Sequence, residues 1–217
     1  MQIKDIHLEQ LFKRCNELTP LKEAIQKAAN VIIRSYENGG KILACGNGGS
    51  SSDSDHIVGE LMKSFEGKRP LQLELKSKLI EVGGERGLYL AETLQQGLPA
   101  ISLSAHTALI TAVANDINAE SIFAQQVTGY GIKGDVLIGM STSGNSKDVI
   151  DAVLVAKAKG MATIGFTGES GGKMKELCDI LINVPEKRTA YVQELHLPVY
   201  HTLCLMIEDH FFLIENS

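Results

Sequence analysis

Two segments of this chain repeat one local plan: an apolar run, a turn of glycine and hydroxyl residues, then an amphipathic helix. Asp135 to Gly139 (DVLIG) reads as a buried parallel strand and Ser141 to Ser146 (STSGNS) as the turn. Lys147 to Lys159 reads as the helix, with Val149, Ile150, Val153, Leu154 and Ala156 at helical spacing. Earlier, Lys41 to Cys45 (KILAC) leads through Gly46 to Ser52 (GNGGSSS) into a helix over 51–65. Strands that are apolar on every residue are buried on both faces, which a parallel sheet covered by helices provides. The repeated plan therefore predicts an α/β fold: an open parallel sheet with helices on both faces.

The remaining segments extend that plan. Residues 1–15 and 20–37 read as helices broken at Thr19–Pro20, and Asn38-Gly39-Gly40 stops the second. Strands are expected over 100–103, 163–166 and 180–184, with helices over 107–114, 119–128, 173–177 and 189–213. Residues 71–96 are helix-like but interrupted by Gly83-Gly84, and read as a helical insertion covering the site or as an extended loop. A chain of 217 residues, 44% apolar, furnishes one full core, so a single domain over 1–217 is expected, with the N-terminal helices in 1–38.

Composition narrows the function. A net charge of −5 offers no basic excess for nucleic acid. No apolar run approaches the ~20 residues that span a bilayer, and the N-terminus lacks a signal-peptide layout. Cys15, Cys45, Cys178 and Cys204 show no CxxC spacing and read as free thiols of a reducing compartment. A soluble cytoplasmic protein is expected, with neither nucleic-acid nor membrane partner.

The two turns carry the chemistry. Free N–H groups and hydroxyls at the positive end of a helix dipole are where a phosphate binds. There is no GxxxxGK[ST] pattern, and GNGG does not give GxGxxG, so no nucleotide cofactor is expected. A small phosphorylated molecule fits better. His56 and Glu60, four apart, project from one helix face. They read either as a surface contact or as metal ligands, or as a base beside an imidazole. Gln193, Glu194, His196 and His201 fall in the last, mostly apolar helix. Gln193 and His201 lie about 12 Å apart along its axis and about 80° around it, which makes a shared metal site geometrically tight.

Taken together, CGNGGSSSDSDH (45–56), Glu60, Asn115-Asp116, STSGNS (141–146), TGESGGKM (167–174) and QELHLPVYH (193–201) resemble the sugar isomerase (SIS) family, and within it the phosphoheptose isomerases. The resemblance spans nearly the whole chain except 71–96. It implies the three-layer SIS fold and an enzyme that converts sedoheptulose 7-phosphate to D-glycero-D-manno-heptose 7-phosphate through an enediol, in heptose precursor synthesis for surface glycans. It implies phosphosugar binding by Asn47, Gly48, Gly49, Ser50, Glu60, Asn115, Asp116, Ser141, Thr142, Ser143, Ser146 and Gln193. Glu60 and His201 match the acid–base pair, and zinc, one per subunit, would be held by His56, Glu60, Gln193 and His201. A homotetramer with sites shared between subunits is implied as well. Alternatives are an isomerase for another sugar phosphate and a non-catalytic, phosphosugar-binding regulatory branch that binds the replication initiator and lacks the glutamate and the final histidine. This chain has Glu60 and His201; it departs from some isomerases in Ala190, where they have Asp, and in the 71–96 insertion.

Overall fold

The computed structural model describes residues 3–212. Five parallel strands, β1 (Ile42–Gly46), β2 (Ala100–Ser102), β3 (Val136–Met140), β4 (Ala162–Thr167) and β5 (Ile180–Asn183), form one sheet in the order β2-β1-β3-β4-β5. Nine helices accompany them among the described residues: α1 (Ile3–Arg14), α2 (Lys22–Glu37), α3 (Gly49–Met62), α4 (Leu73–Thr93), α5 (Thr107–Asp116), α6 (Ile122–Tyr130), α7 (Lys147–Ala158), α8 (Met174–Leu177) and α9 (Thr189–Phe212). Short 3₁₀ turns at Asn16–Leu21 and Ala119–Ser121 precede α2 and α6. The expected helix ends at residues 1–2 and 213 lie outside the described residues.

Alternation along the strands builds two cores. Ile42, Ala44, Val136, Ile138, Met140, Ile164, Phe166 and Ile182 face α1, α2, α3 and α9. Leu43, Cys45 and Leu137 point the other way, toward Phe123 and Val127 of α6, Val149 and Val153 of α7 and Met174 of α8. Every residue of β1 and β3 is buried, as strands covered on both faces must be. The four cysteines are free thiols, with Cys45 and Cys204 buried. Among the described residues no helix is long and apolar enough to cross a membrane.

The sheet order reverses between β1 and β3, since the chain steps outward to β2 on one side and to β4 and β5 on the other. In open parallel sheets a crevice forms outside the strand carboxyl ends at such a switch point. The two glycine–hydroxyl turns leave β1 and β3 at that point.

The insertion is helical and folds back on itself. Gly84 leaves helical geometry (φ 53°, ψ −127°), and a methyl group at Gly87 would lie 1.8 Å from the Leu79 carbonyl oxygen. α4 is thus a hairpin of two short arms crossing at a glycine. Its root is tied to the end of α3: Leu98 N donates to Leu61 O, Gln96 N to Arg69 O, and Gln95 Oε1 accepts from Ser64 N. The hairpin stands at the far end of α3 from the glycine–hydroxyl turns, so it does not lie over them.

Between the hairpin and α9 sits a fully buried ion pair. Arg69 Nε donates to Glu208 Oε1 at 2.7 Å, and its other nitrogens reach the Leu61 and Glu60 carbonyls at 2.7 and 3.0 Å. The Glu208 carboxylate also accepts from the backbone N–H groups of Phe65, Glu66 and Gly67. Burial alone would raise its pKa, but these donors hold it below the usual carboxylate range. Removing one partner of such a pair leaves an uncompensated buried charge. Arg69→Met should therefore cost about 3–5 kcal/mol in urea unfolding; a loss below about 1 kcal/mol would refute the role given to this pair.

Candidate active site

The turn after β3 is prepared by hydroxyls. The Ser141 and Ser146 hydroxyls share a 2.9 Å hydrogen bond, and Ser141 Oγ also accepts from Ser146 N. Ser143 Oγ lies 3.5 Å from Ser141 Oγ and accepts from Asn145 N. Thr142 is only partly buried; its carbonyl accepts from Gly168 N, which ties the turn to the next loop. Ser146 sits at the N-cap of α7, so the three serine hydroxyls and the first free N–H groups of that helix converge at its positive end.

This turn leans on the 168–172 loop through glycines. Gly144 has φ +66°, and a methyl group there would lie 2.1 Å from the Gly171 carbonyl oxygen. Met174 N donates to Gly144 O and Lys173 N to Asn145 Oδ1, completing the support. The ESGG stretch of TGESGGKM thus serves as the bed of the turn after β3.

Across the switch point, the turn after β1 opens α3. Gly48 is its N-cap with φ 55°, Ser50 is buried, and Ser50 N donates back to Asn47 O. Asn47 Nδ2 donates to both carboxylate oxygens of Asp148, at 3.0 and 2.8 Å, in the first turn of α7. The two turns are therefore joined directly. Asp148 went unnoticed in the sequence, where it looks like an ordinary acidic residue at a helix start. Gln193 of α9 joins the same end, because its amide packs on Gly49, where a methyl group would lie 2.5 Å from Nε2.

The residues expected as the acid–base pair lie in a second group farther along α3. His56 Nε2 lies 3.2 Å from Glu60 Oε1, and Lys63 Nζ donates to Glu60 Oε2 at 3.0 Å. Tyr200 donates its hydroxyl proton to Asp53 Oδ1 and accepts from His56 Nδ1 at 3.0 Å. The His201 ring stands edge-on to His56 and Tyr200, with centroids 4.9 and 5.0 Å away, and tilted against Phe65 at 5.3 Å. Burial, then the neighbouring His56, pushes the His201 pKa below the ordinary imidazole range. His201 is thus neutral near pH 7, and its Nε2 is buried without a hydrogen-bond partner. Tyr200 and Asp53 were missed in the sequence because nothing in their spacing links an α9 tyrosine to an α3 aspartate.

Gln193 does not join this group. Gly49 and Gln193 mark one end of the packed pair α3–α9, and His56, Tyr200 and His201 lie about two turns farther on. Among the described residues no three His, Cys, Asp or Glu side chains are placed to hold a metal ion. His56 and Glu60 are engaged with each other and with Tyr200 and Lys63, and are not drawn around a common point. Asn115 and Asp116 end α5 in solvent, hydrogen-bonded to each other at 2.8 Å. The chain just after them reaches the α7 end of the cleft through a Glu120–Lys147 ion pair. His196 is a core residue, its Nε2 3.2 Å from the Thr167 carbonyl oxygen.

The model of the SIS domain matches residues 7–83 and 85–168. The chain is 42% identical over 192 residues to the phosphoheptose isomerase of Burkholderia pseudomallei (strain 1710b), covering 88% of this chain and 84% of that protein. It is likewise 42% identical over 205 residues to the phosphoheptose isomerase of Helicobacter pylori (strain P12), covering 94% and 92%. The chain belongs to the phosphoheptose isomerase family of SIS-domain proteins. The solved structure of phosphoheptose isomerase GmhA from Neisseria gonorrhoeae superposes with a TM-score of 0.72 at 33% identity, covering 94% of this chain and 96% of that one. That of a phosphoheptose isomerase from Francisella tularensis gives 0.74 at 32% identity, with the same coverage. The open parallel sheet with helices on both faces is thus the SIS fold, with the two glycine–hydroxyl turns where the sheet order reverses.

The buried His196 of this family member gives a pH signature. Burial holds its pKa at about 4, so the folded state refuses a proton that the unfolded chain accepts below the ordinary value of 6.5. Its contribution is complete above pH 6.5 and is lost as pH falls toward 4, by roughly 3 kcal/mol over that window. Urea unfolding of His196→Gln between pH 7.5 and 4.5 should show a flatter pH dependence than wild type. An identical slope would remove His196 as its source.

Proposed function

We propose that this chain is a ketose–aldose isomerase that converts sedoheptulose 7-phosphate to D-glycero-D-manno-heptose 7-phosphate. The observation that carries the reading is the pairing of a phosphate-type cleft at the sheet switch point with a carboxylate and a neutral imidazole in one corner of the same fold. Both groups match the family's residues, and the non-catalytic branch lacks Glu60 and His201.

The hydroxyls of Ser141, Ser143 and Ser146 and the free N–H groups of α7 hold the phosphate. That supplies binding energy away from the reacting carbons and orients them. Glu60 takes the carbon-bound proton and returns it to the adjacent carbon. His201, neutral and carrying one N–H donor and one acceptor, moves the proton between the two oxygens. Tyr200 and Asp53 fix the ring of His56, which in turn holds one oxygen of Glu60. A general base typically contributes 10²–10⁴-fold, so Glu60→Gln should lower turnover of sedoheptulose 7-phosphate by at least about 10²-fold while KM shifts little. Wild-type turnover in that variant, or no turnover of any ketose phosphate by wild type, would sink the assignment.

Zinc held by His56, Glu60, Gln193 and His201, as the family resemblance implies, is part of the proposal. In the lone chain these groups are not gathered around one point, so His56 and Glu60 would have to exchange their present partners for the ion, while His201 Nε2 is already buried and unpartnered. When bound it would polarise the sugar carbonyl. No step above runs through it. Metal analysis of the purified protein should find close to one zinc per chain, and His201→Ala should lose most of it. Metal content unchanged in the variant would move the ion elsewhere.

The separation of Gln193 from His201 supports a site shared between copies. A second copy that brings its corner to the first copy's turns completes the set that one chain leaves apart, in a homotetramer. Cytoplasmic placement follows from free cysteines and a phosphorylated metabolite as substrate.

A further inference from the structure

The α4 hairpin is built from residues that a lone chain leaves in water. Leu73 and Val82 are 82% and 89% exposed, and Leu75, Ile80, Leu88, Tyr89 and Leu94 are each about half exposed. At about 150 Å² for a large side chain, these exposures leave on the order of 600 Å² of apolar surface uncovered. Spread over both arms, that total is close to the roughly 800 Å² each partner gives to a stable interface.

The pattern asks for neighbours on two sides. In the first arm Leu73 and Ile80 are seven apart on one stripe, and Leu75, Leu79 and Val82 form another on the opposite side. Leu79 meets the second arm at Gly87, and Ala91 is buried, but the outer stripe has no cover. Arms of about ten residues are too short to hold helical form in water without tertiary packing. A helix apolar on two sides belongs inside a bundle.

We infer that the occupant is a second copy of this chain, the two α4 hairpins packing on each other as a four-helix bundle. Three observations favour self-association. The uncovered area approaches one side of a stable dimer interface. The hairpin carries Glu74, Glu81, Glu85 and Glu92 against Lys76, Lys78 and Arg86, so two copies do not repel, and it has no basic face for nucleic acid or an anionic bilayer. The root of the hairpin, through Ser64 and Phe65, is continuous with the His201 corner where a second copy is already proposed to complete the site. The hairpin contact goes beyond that shared site and stands or falls separately.

The test is the solution mass and exchange behaviour of the full chain. Leu73→Glu combined with Ile80→Glu should at least halve the mass measured by light scattering relative to wild type, with the circular dichroism spectrum unchanged. Should the double variant fold poorly, hydrogen exchange on wild type decides. Amides of 73–93 should gain protection at least tenfold as protein concentration rises through the assembly transition. An unchanged mass in the folded variant, protection of 73–93 independent of concentration, or a monomeric wild type would each overturn the contact. Loss of the hairpin contact with retained isomerase turnover would leave the shared-site reading intact.

Discussion

The buried Arg69–Glu208 pair is the constraint on which the functional half of this fold depends. One guanidinium caps the last carbonyls of α3, at Glu60 and Leu61, while one carboxylate collects three backbone N–H groups of the chain that follows. Charges are costly to bury, and this pair is tolerable because nearly every donor and acceptor has a partner. The geometry it enforces is local but consequential. It stops α3 two residues after Glu60, fixes the hairpin root against that end, and locks both to α9, which carries Tyr200 and His201.

The cleft has a different origin. A sheet whose order reverses between β1 and β3 cannot fill the space beyond their carboxyl ends, because the connections leave in opposite directions. Into that gap project two helix starts with free N–H groups. The Asn47–Asp148 bridge ties the turns together, and the glycine contact of Gly144 with Gly171 brings a third loop close enough to brace them. In the proposed reading, binding and chemistry are thus separated along α3: anion-holding groups at its first turn, acid–base groups in its last two.

That separation explains why the SIS fold serves both enzymes and binding proteins. The phosphate turns hold a phosphorylated ligand without reference to what happens next. The proposed chemistry adds a carboxylate and a neutral imidazole about two to three helical turns away, and burial beside His56 keeps His201 in its neutral form.

Much was legible in the sequence because it depends on near neighbours along the chain. All-apolar runs such as VLIGM specify buried parallel strands, the glycine–hydroxyl turns specify anion-binding helix starts, and helical spacing puts His56 and Glu60 on one face. The strand limits hold to within a residue or two. Helix ends were less secure: α3 stops at Met62, three residues before the expected Phe65, because Arg69 caps it from outside the helix. Tertiary structure alone decided which distant residues meet. It put Asp148 on Asn47, Tyr200 between Asp53 and His56, and Gln193 at Gly49, away from His201. It also turned 71–96 into a hairpin at Gly84 and placed that hairpin beyond the turns. The physical reason is that periodicity reports which face of an element is buried, whereas the partner on that face is chosen by sheet order and helix packing, which no local stretch of sequence encodes.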